Sequence, residues 1–128
     1  MSEQEVVVIT GAGSGIGRGL ARVADQRGMQ TVLVDVDEAG LRETASQLQT
    51  GALVVPADVT DESSVAALAE QSFSRFGRVD LLFNNAGIMR GGLSWEVEPK
   101  EWRRMLDVNI MGVVNWLNKI VPPMVPED

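Results

Sequence analysis

A chain of 128 residues, 45% of them hydrophobic, has the size of one globular domain and leaves no room for a second of ordinary length. Eighteen acidic against eleven basic side chains give a net charge of −7, which disfavours nucleic acid and anionic lipid as partners, so an anionic ligand needs its own local site. Cysteine and histidine are absent, which excludes disulfides, thiolate or imidazole metal sites, cysteine nucleophiles and Ser-His pairs; no metal is expected.

The first five residues are acidic where a secretory signal would be basic, and no apolar run reaches the length of a membrane span, so a cytoplasmic protein without a membrane partner is expected. In chain order, Val6-Val7-Val8-Ile9 is a wholly apolar, β-branched run, as a strand covered on both faces requires. A glycine-rich turn follows. Ile16, Leu20, Val23 and Ala24 then recur at helical spacing, with Gly28 placed to end that helix. Thr31 to Val36 predicts a second buried strand, and Leu41, Ala45 and Leu48 a short helix closed near Gly51. Leu53-Val54-Val55 reads as the third strand. Thr60 or Asp61 is placed to cap a helix whose buried stripe is Val65, Leu68, Ala69, Phe73 and Phe76, with Gly77 past its end. Leu81-Leu82-Phe83 reads as the fourth strand. Pro99 suits the first turn of a last helix carrying Trp102, Met105, Leu106, Val113 and Leu117, and Pro122-Pro123 is expected to stop it.

Four strands alternating with four helices predict an α/β fold with a parallel sheet. A Rossmann-like arrangement would order the strands 3-2-1-4 and place a ligand crevice at the carboxyl ends of the first and fourth. The turn Thr10-Gly11-Ala12-Gly13-Ser14-Gly15-Ile16-Gly17 suits a diphosphate. Backbone N–H groups at a helix start favour negative charge, and glycines let an anion approach the backbone. Asp35 stands eighteen residues after Gly17, at the end of the second strand. A carboxylate there accepts the ribose hydroxyls of an adenosine and repels a 2′-phosphate, so NAD is expected in preference to NADP. The nearest basic residue is Arg18.

With these residues the chain resembles the classical short-chain dehydrogenase/reductase family, whose Gly-x-x-x-Gly-x-Gly spacing is met by Gly11, Gly15 and Gly17. The extended, epimerase-like relatives would want glycine where Ser14 stands. Asp58-Val59 is similar to the family's adenine-contacting pair, Asn84-Asn85-Ala86-Gly87 to its Asn-Asn-Ala-Gly signature, and Asp107-Val108-Asn109 to the segment carrying its catalytic asparagine. The resemblance implies a cofactor site made by Gly11, Ser14, Gly15, Ile16, Gly17, Asp35, Asp58, Val59, Asn85, Ala86 and Gly87, with Asn109 holding a water in a proton relay. From the residues alone, Asn109 reads as a satisfied buried amide, and Asp58 and Asn84-Asn85 as turn residues.

The family transfers hydride between a nicotinamide and a carbonyl or alcohol carbon. Its tyrosine exchanges the proton, a lysine four residues later lowers the tyrosine pKa, and a serine orients the substrate oxygen. All three belong to the fifth strand and the following helix, whereas this sequence contains no tyrosine and neither Lys100 nor Lys119 stands in the motif. The expectation is therefore a single, incomplete NAD(P)-binding Rossmann domain over residues 1–128. It would be the truncated cofactor-binding half of an NAD-dependent oxidoreductase, without turnover. A non-catalytic nucleotide-binding or oligomerisation module is the alternative. Strand four, with Leu82 and Phe83, would be a bare sheet edge, and Met111, Val114 and Ile120 lie outside the last helix's main stripe, so a homo-oligomer is expected. Trp95 and Met89 either line a substrate pocket or pack on the last helix.

Overall fold

A parallel strand buried on both faces needs a helical layer above and below it, and the computed structural model, which describes residues 4–89 and 91–126, supplies both. The elements run β1 Val6–Thr10, α1 Gly15–Gln26, β2 Gln30–Asp35, α2 Glu38–Ser46, β3 Leu53–Pro56, α3 Glu62–Phe76, β4 Leu81–Phe83 and α4 Pro99–Leu106, then a π-helical segment Asp107–Met111 and α5 Gly112–Met124. The sheet is parallel throughout in the order β3-β2-β1-β4, with Val8 paired to both Val32 and Leu82. This is the Rossmann-like order. Side chains alternate across it: Val7, Ile9 and Leu33 pack with Ala21, Ala24 and Leu41 on one face. Val6, Val8 and Val32 pack with Val65, Leu68, Trp116 and Ile120 on the other.

Helix ends follow local chemistry. Asp37 caps α2 by accepting from the Gly40 N–H, and Asp61 caps α3 by accepting from the Ser63 and Ser64 N–H groups. Gly77 ends α3 in the left-handed conformation, φ 76°. Two expectations need correction. The buried face of α1 is Gly17, Ala21 and Ala24, while Ile16 and Val23 are exposed. Small residues let α1 lie close on the sheet, and this close fit takes precedence over bulk. The second correction concerns the last helix. Its buried residues are Val108, Gly112, Asn115, Trp116 and Ile120, whereas Trp102, Leu106 and Leu117 are exposed. The Gly112 N–H donates to the Asp107 carbonyl five residues back, and each residue added to a turn rotates the remainder of the helix by about 100°. A stripe drawn at an unbroken helical period therefore misses the face. Nor do Pro122 and Pro123 stop α5, which continues to Met124. Proline's fixed φ suits a helix, and because Pro122 and Pro123 stand in the last turn only their own N–H groups are forgone.

β1 is anchored at its start by Asp80, whose Oδ2 accepts from the Val6 N–H at 2.8 Å while Arg78 binds both carboxylate oxygens at 2.6–3.0 Å. The Arg78 hydrogen bonds, opposed by burial and aided by the Val6 N–H, hold this carboxyl below its ordinary value. Its stabilisation is therefore complete above the ordinary aspartate range and is lost as pH falls through the depressed value. Asp80→Asn should lower stability at neutral pH by about 1–2 kcal/mol, the difference between a charge-assisted and a neutral hydrogen bond. In urea denaturation the gap between variant and wild type should narrow as pH falls through the depressed value.

Candidate functional site

The carboxyl ends of β1, β2 and β4 meet around Thr10. Its hydroxyl donates to the Phe83 carbonyl at 3.3 Å and accepts from the Asn85 and Ala86 N–H groups at 3.0 Å each. Asn85 answers from the other side, its Nδ2 donating to the carbonyls of Thr10 at 3.2 Å and Gly11 at 3.4 Å. The segment after β4 is thus bound to the glycine turn, and a Cβ on Gly17 would run into the Gly11 carbonyl oxygen. Glycine is required there because helix and turn touch backbone to backbone.

Gly11, Ser14, Gly15, Ile16, Asp35, Asp58, Val59, Asn85, Ala86 and Gly87 all line one cleft of about 350 Å³, completed by Val36, Ala57, Ile88, Arg104 and Val108. Gly17 and Asn109, the other two residues expected at the site, are not on that wall. Gly17 is buried behind the turn. Asn109 lies alongside, its Oδ1 accepting from the Ile88 N–H at 2.9 Å and its Nδ2 donating to the Ile88 carbonyl at 2.8 Å. Both amide functions thus hold the chain after β4, leaving one lone pair and one N–H for water or ligand. Asn109 is exposed, so the satisfied amide is not a buried one.

Asp35 holds the turn as well as the wall: Oδ2 accepts from the Gly13 N–H at 2.9 Å and Oδ1 from the Asp37 N–H at 3.1 Å. Arg18 is spent behind the turn, its Nη2 donating to the Gly13 carbonyl at 2.7 Å and its Nε to the Thr44 hydroxyl at 2.9 Å. Ser14, the first residue before α1, makes no side-chain cap, unlike the aspartates before α2 and α3. The first N–H groups of α1 therefore remain available to an anion.

At the far end, burial pushes the Asp58 carboxyl up, but hydrogen bonds from the Thr60 N–H (2.9 Å) and hydroxyl (2.7 Å), with Arg104 nearby, bring it below its ordinary value. The long last helix reaches this turn at several points. Asn115 Nδ2 donates to the Val59 carbonyl at 2.9 Å, Arg104 Nη1 lies 3.8 Å from Asp58 Oδ2, and Lys119 pairs with Glu62 at 3.1 Å. A Cβ on Gly112 would sit 2.6 Å from Val59 Cγ2, so close packing against this turn is what demands glycine at that position. Sequence reasoning placed Thr10 in the glycine turn without this bridging role, and missed Arg104 and Asn115. Arg104 and Val108 stand four apart, on one helical face, which is the only sequence trace of their shared role.

Met89 and Trp95 are largely exposed, at 84% and 78%, and neither lines the cleft. At that exposure neither side chain is packed away against the last helix, as one of the two expectations had it. Among the described residues no cluster of acidic side chains is able to hold a metal ion, and no helix is long and apolar enough to cross a membrane.

A parallel sheet ordered 3-2-1-4, with a glycine turn and an acidic residue ending the second strand in one cleft, defines a Rossmann-type fold. Within that class the chain belongs to the short chain dehydrogenase family, whose sequence profile matches residues 5–128. A CLA biosynthesis dehydrogenase/reductase of Lactiplantibacillus plantarum is 41% identical, aligned over 98% of this chain and 45% of its own length. A 3-ketoacyl-(acyl-carrier-protein) reductase from Brucella melitensis, solved with NADH, superposes with a TM-score of 0.88 at 42% identity, over 94% of this chain and 50% of its own. A metagenomic short-chain oxidoreductase solved with NADP superposes at 0.89 with 31% identity, over 95% and 57%. The chain thus spans about half the length of the curated relatives it matches.

Proposed function

We propose that these 128 residues hold the adenosine-diphosphate half of NAD and form the cofactor-binding half of an oxidoreductase that moves hydride between nicotinamide and a carbonyl or alcohol carbon. The observation that carries this reading is the cleft itself, where the uncapped start of α1, the Asp35 carboxylate and the Asp58-Val59 turn line one wall. The N–H groups of α1 face the diphosphate and Asp35 takes the ribose hydroxyls. Asp58 and Val59 take the adenine, and Asn85, Ala86 and Gly87 border the path toward the nicotinamide. NAD supplies the hydride acceptor when bound. Asn109 fixes the chain after β4 against the long helix and offers its remaining lone pair and N–H to a relay water.

The cofactor choice follows from charge. Asp35 faces the cleft, and Arg18, the nearest basic residue along the chain, spends its guanidinium on the Gly13 carbonyl and Thr44. Wild type should bind NAD at least about tenfold more tightly than NADP, because like charges in contact cost several kcal/mol. Asp35→Ala should narrow that ratio. Tighter NADP binding by wild type, titrated by calorimetry, would overturn the assignment.

On their own these residues should not turn over a substrate. Hydride transfer to a carbonyl leaves an alkoxide, and a positioned acid contributes about 10²- to 10⁴-fold. The sequence offers no tyrosine, histidine or cysteine, and Lys119 is paired with Glu62 on α3. An absorbance assay of NADH oxidation with a panel of ketones should stay at background; sustained turnover that survives Lys119→Ala would reveal another proton donor.

A self-associating chain is also part of this reading. Leu81 on edge strand β4 is 40% exposed, and Trp102, Leu106, Ile110, Met111 and Leu117 leave an apolar face on the long helix. Ile120 takes no part in it, being fully buried. Light scattering at micromolar concentration should give at least twice the 13.8 kDa chain mass; a stable monomer would count against it.

A further inference from the structure

Behind the glycine turn stands a cluster that lines no part of the cleft yet holds two of the turn's carbonyls. Arg18 projects from the first turn of α1 and Thr44 from α2, where the threonine is fully buried. The Thr44 hydroxyl accepts from Arg18 Nε at 2.9 Å. It donates to the Ala12 carbonyl at 2.7 Å, the nearer of its two acceptors, the Gly40 carbonyl being 3.1 Å away. Arg18 Nη2 donates to the Gly13 carbonyl at 2.7 Å and, at 3.3 Å, to that of Gly40. A Cβ on Gly40 would lie 2.5 Å from the Gly13 carbonyl oxygen, so α2 closes on the same group. Ala12 and Gly13 are therefore fixed from behind by side chains of both flanking helices.

In a trans peptide the C=O and the following N–H point in opposite directions, and no cis bond occurs among the described residues. Holding the Ala12 carbonyl turns the Gly13 N–H the other way, where it donates to Asp35 Oδ2 at 2.9 Å. Holding the Gly13 carbonyl does the same for the next amide, that of Ser14, and Ser14 lines the cleft. A bond from a guanidinium also polarises the peptide group it meets, which makes the N–H of that group a stronger donor. We infer that Arg18 and Thr44 are positioning residues of the nucleotide site: through the Gly13-Ser14 peptide they present the Ser14 N–H to the diphosphate. The inference rests on the nucleotide reading and deepens it, since Arg18 then serves the phosphates without touching them.

The measurement is NMR titration of wild type, Arg18→Met, Arg18→Lys and Thr44→Val with ADP and with adenosine, which shares the base and ribose but lacks the phosphates. Arg18→Met should lose roughly tenfold in ADP affinity, the scale of one hydrogen bond to a charged group, with adenosine unchanged. Arg18→Lys keeps the charge but not the fork that spans Thr44 and Gly13, and Thr44→Val keeps the guanidinium but removes the hydroxyl beside it. Each should lose at least about threefold for ADP alone. Wild-type ADP affinity in either would show charge acting across space without positioning, and would overturn the proposal. An equal loss for ADP and adenosine, the mark of a turn merely loosened, would overturn it too. Failure of wild type to bind ADP, or adenosine at millimolar concentration, would overturn the nucleotide reading itself and this inference with it. Thermal scans check each fold; Arg18 is half-buried, so its two variants keep the test decisive should Thr44→Val, a change at a buried site, fail to fold.

Discussion

One hydroxyl at the end of β1 ties the glycine turn to the chain after β4. Thr10 accepts from two consecutive N–H groups after β4 while Asn85 returns two bonds to Thr10 and Gly11, so the glycine turn and the chain after β4 form one hydrogen-bonded body. These groups are buried or half-buried, where an unpaired N–H costs about 1–3 kcal/mol. Because β1 is paired on both edges, the two sides of the crevice cannot move apart without breaking this junction.

The long helix supplies the second fixed reference. It is bound at Ile88 by Asn109, at Val59 by Asn115, and drawn to Asp58 by Arg104. The π-helical segment lies between the outer two of these anchors. By adding a residue to the turn it allows Asn109 to address the chain after β4 while Asn115 and Trp116 still face the core. The extra residue thus reconciles two packing demands that one regular helix would satisfy only in part.

Much of this is readable along the chain because it is local. The caps Asp37 and Asp61 and the stops at Gly28 and Gly77 each depend on neighbours within a few residues. The glycine turn, Asp35, Asp58 and Asn85 are legible too, since strand ends fix where they stand, and the cleft gathers them. What escapes is tertiary. The buried face of α1 is set by close approach of small residues, and Ile16 is an apolar residue on the cleft, outside the core. The phase of the last helix depends on a bulge that hydrophobic periodicity does not encode. Arg104 and Asn115 reveal themselves only once their helix is laid across the turn after β3.

The pairing of Val8 with Leu82 has a consequence for how the chain comes together during synthesis. β1 leaves the ribosome before its β4 neighbour, which follows more than seventy residues later, and Asn85 comes later still. Until then the glycine turn has a strand and a helix but no opposite bank. A parallel sheet whose central strand must wait for its partner closes large loops before it gains contacts, which places folding of this topology on the slow side and leaves an apolar edge open in the nascent chain. Newly made molecules are therefore exposed to misassociation in the interval before β4 emerges, and the crevice is closed only after it.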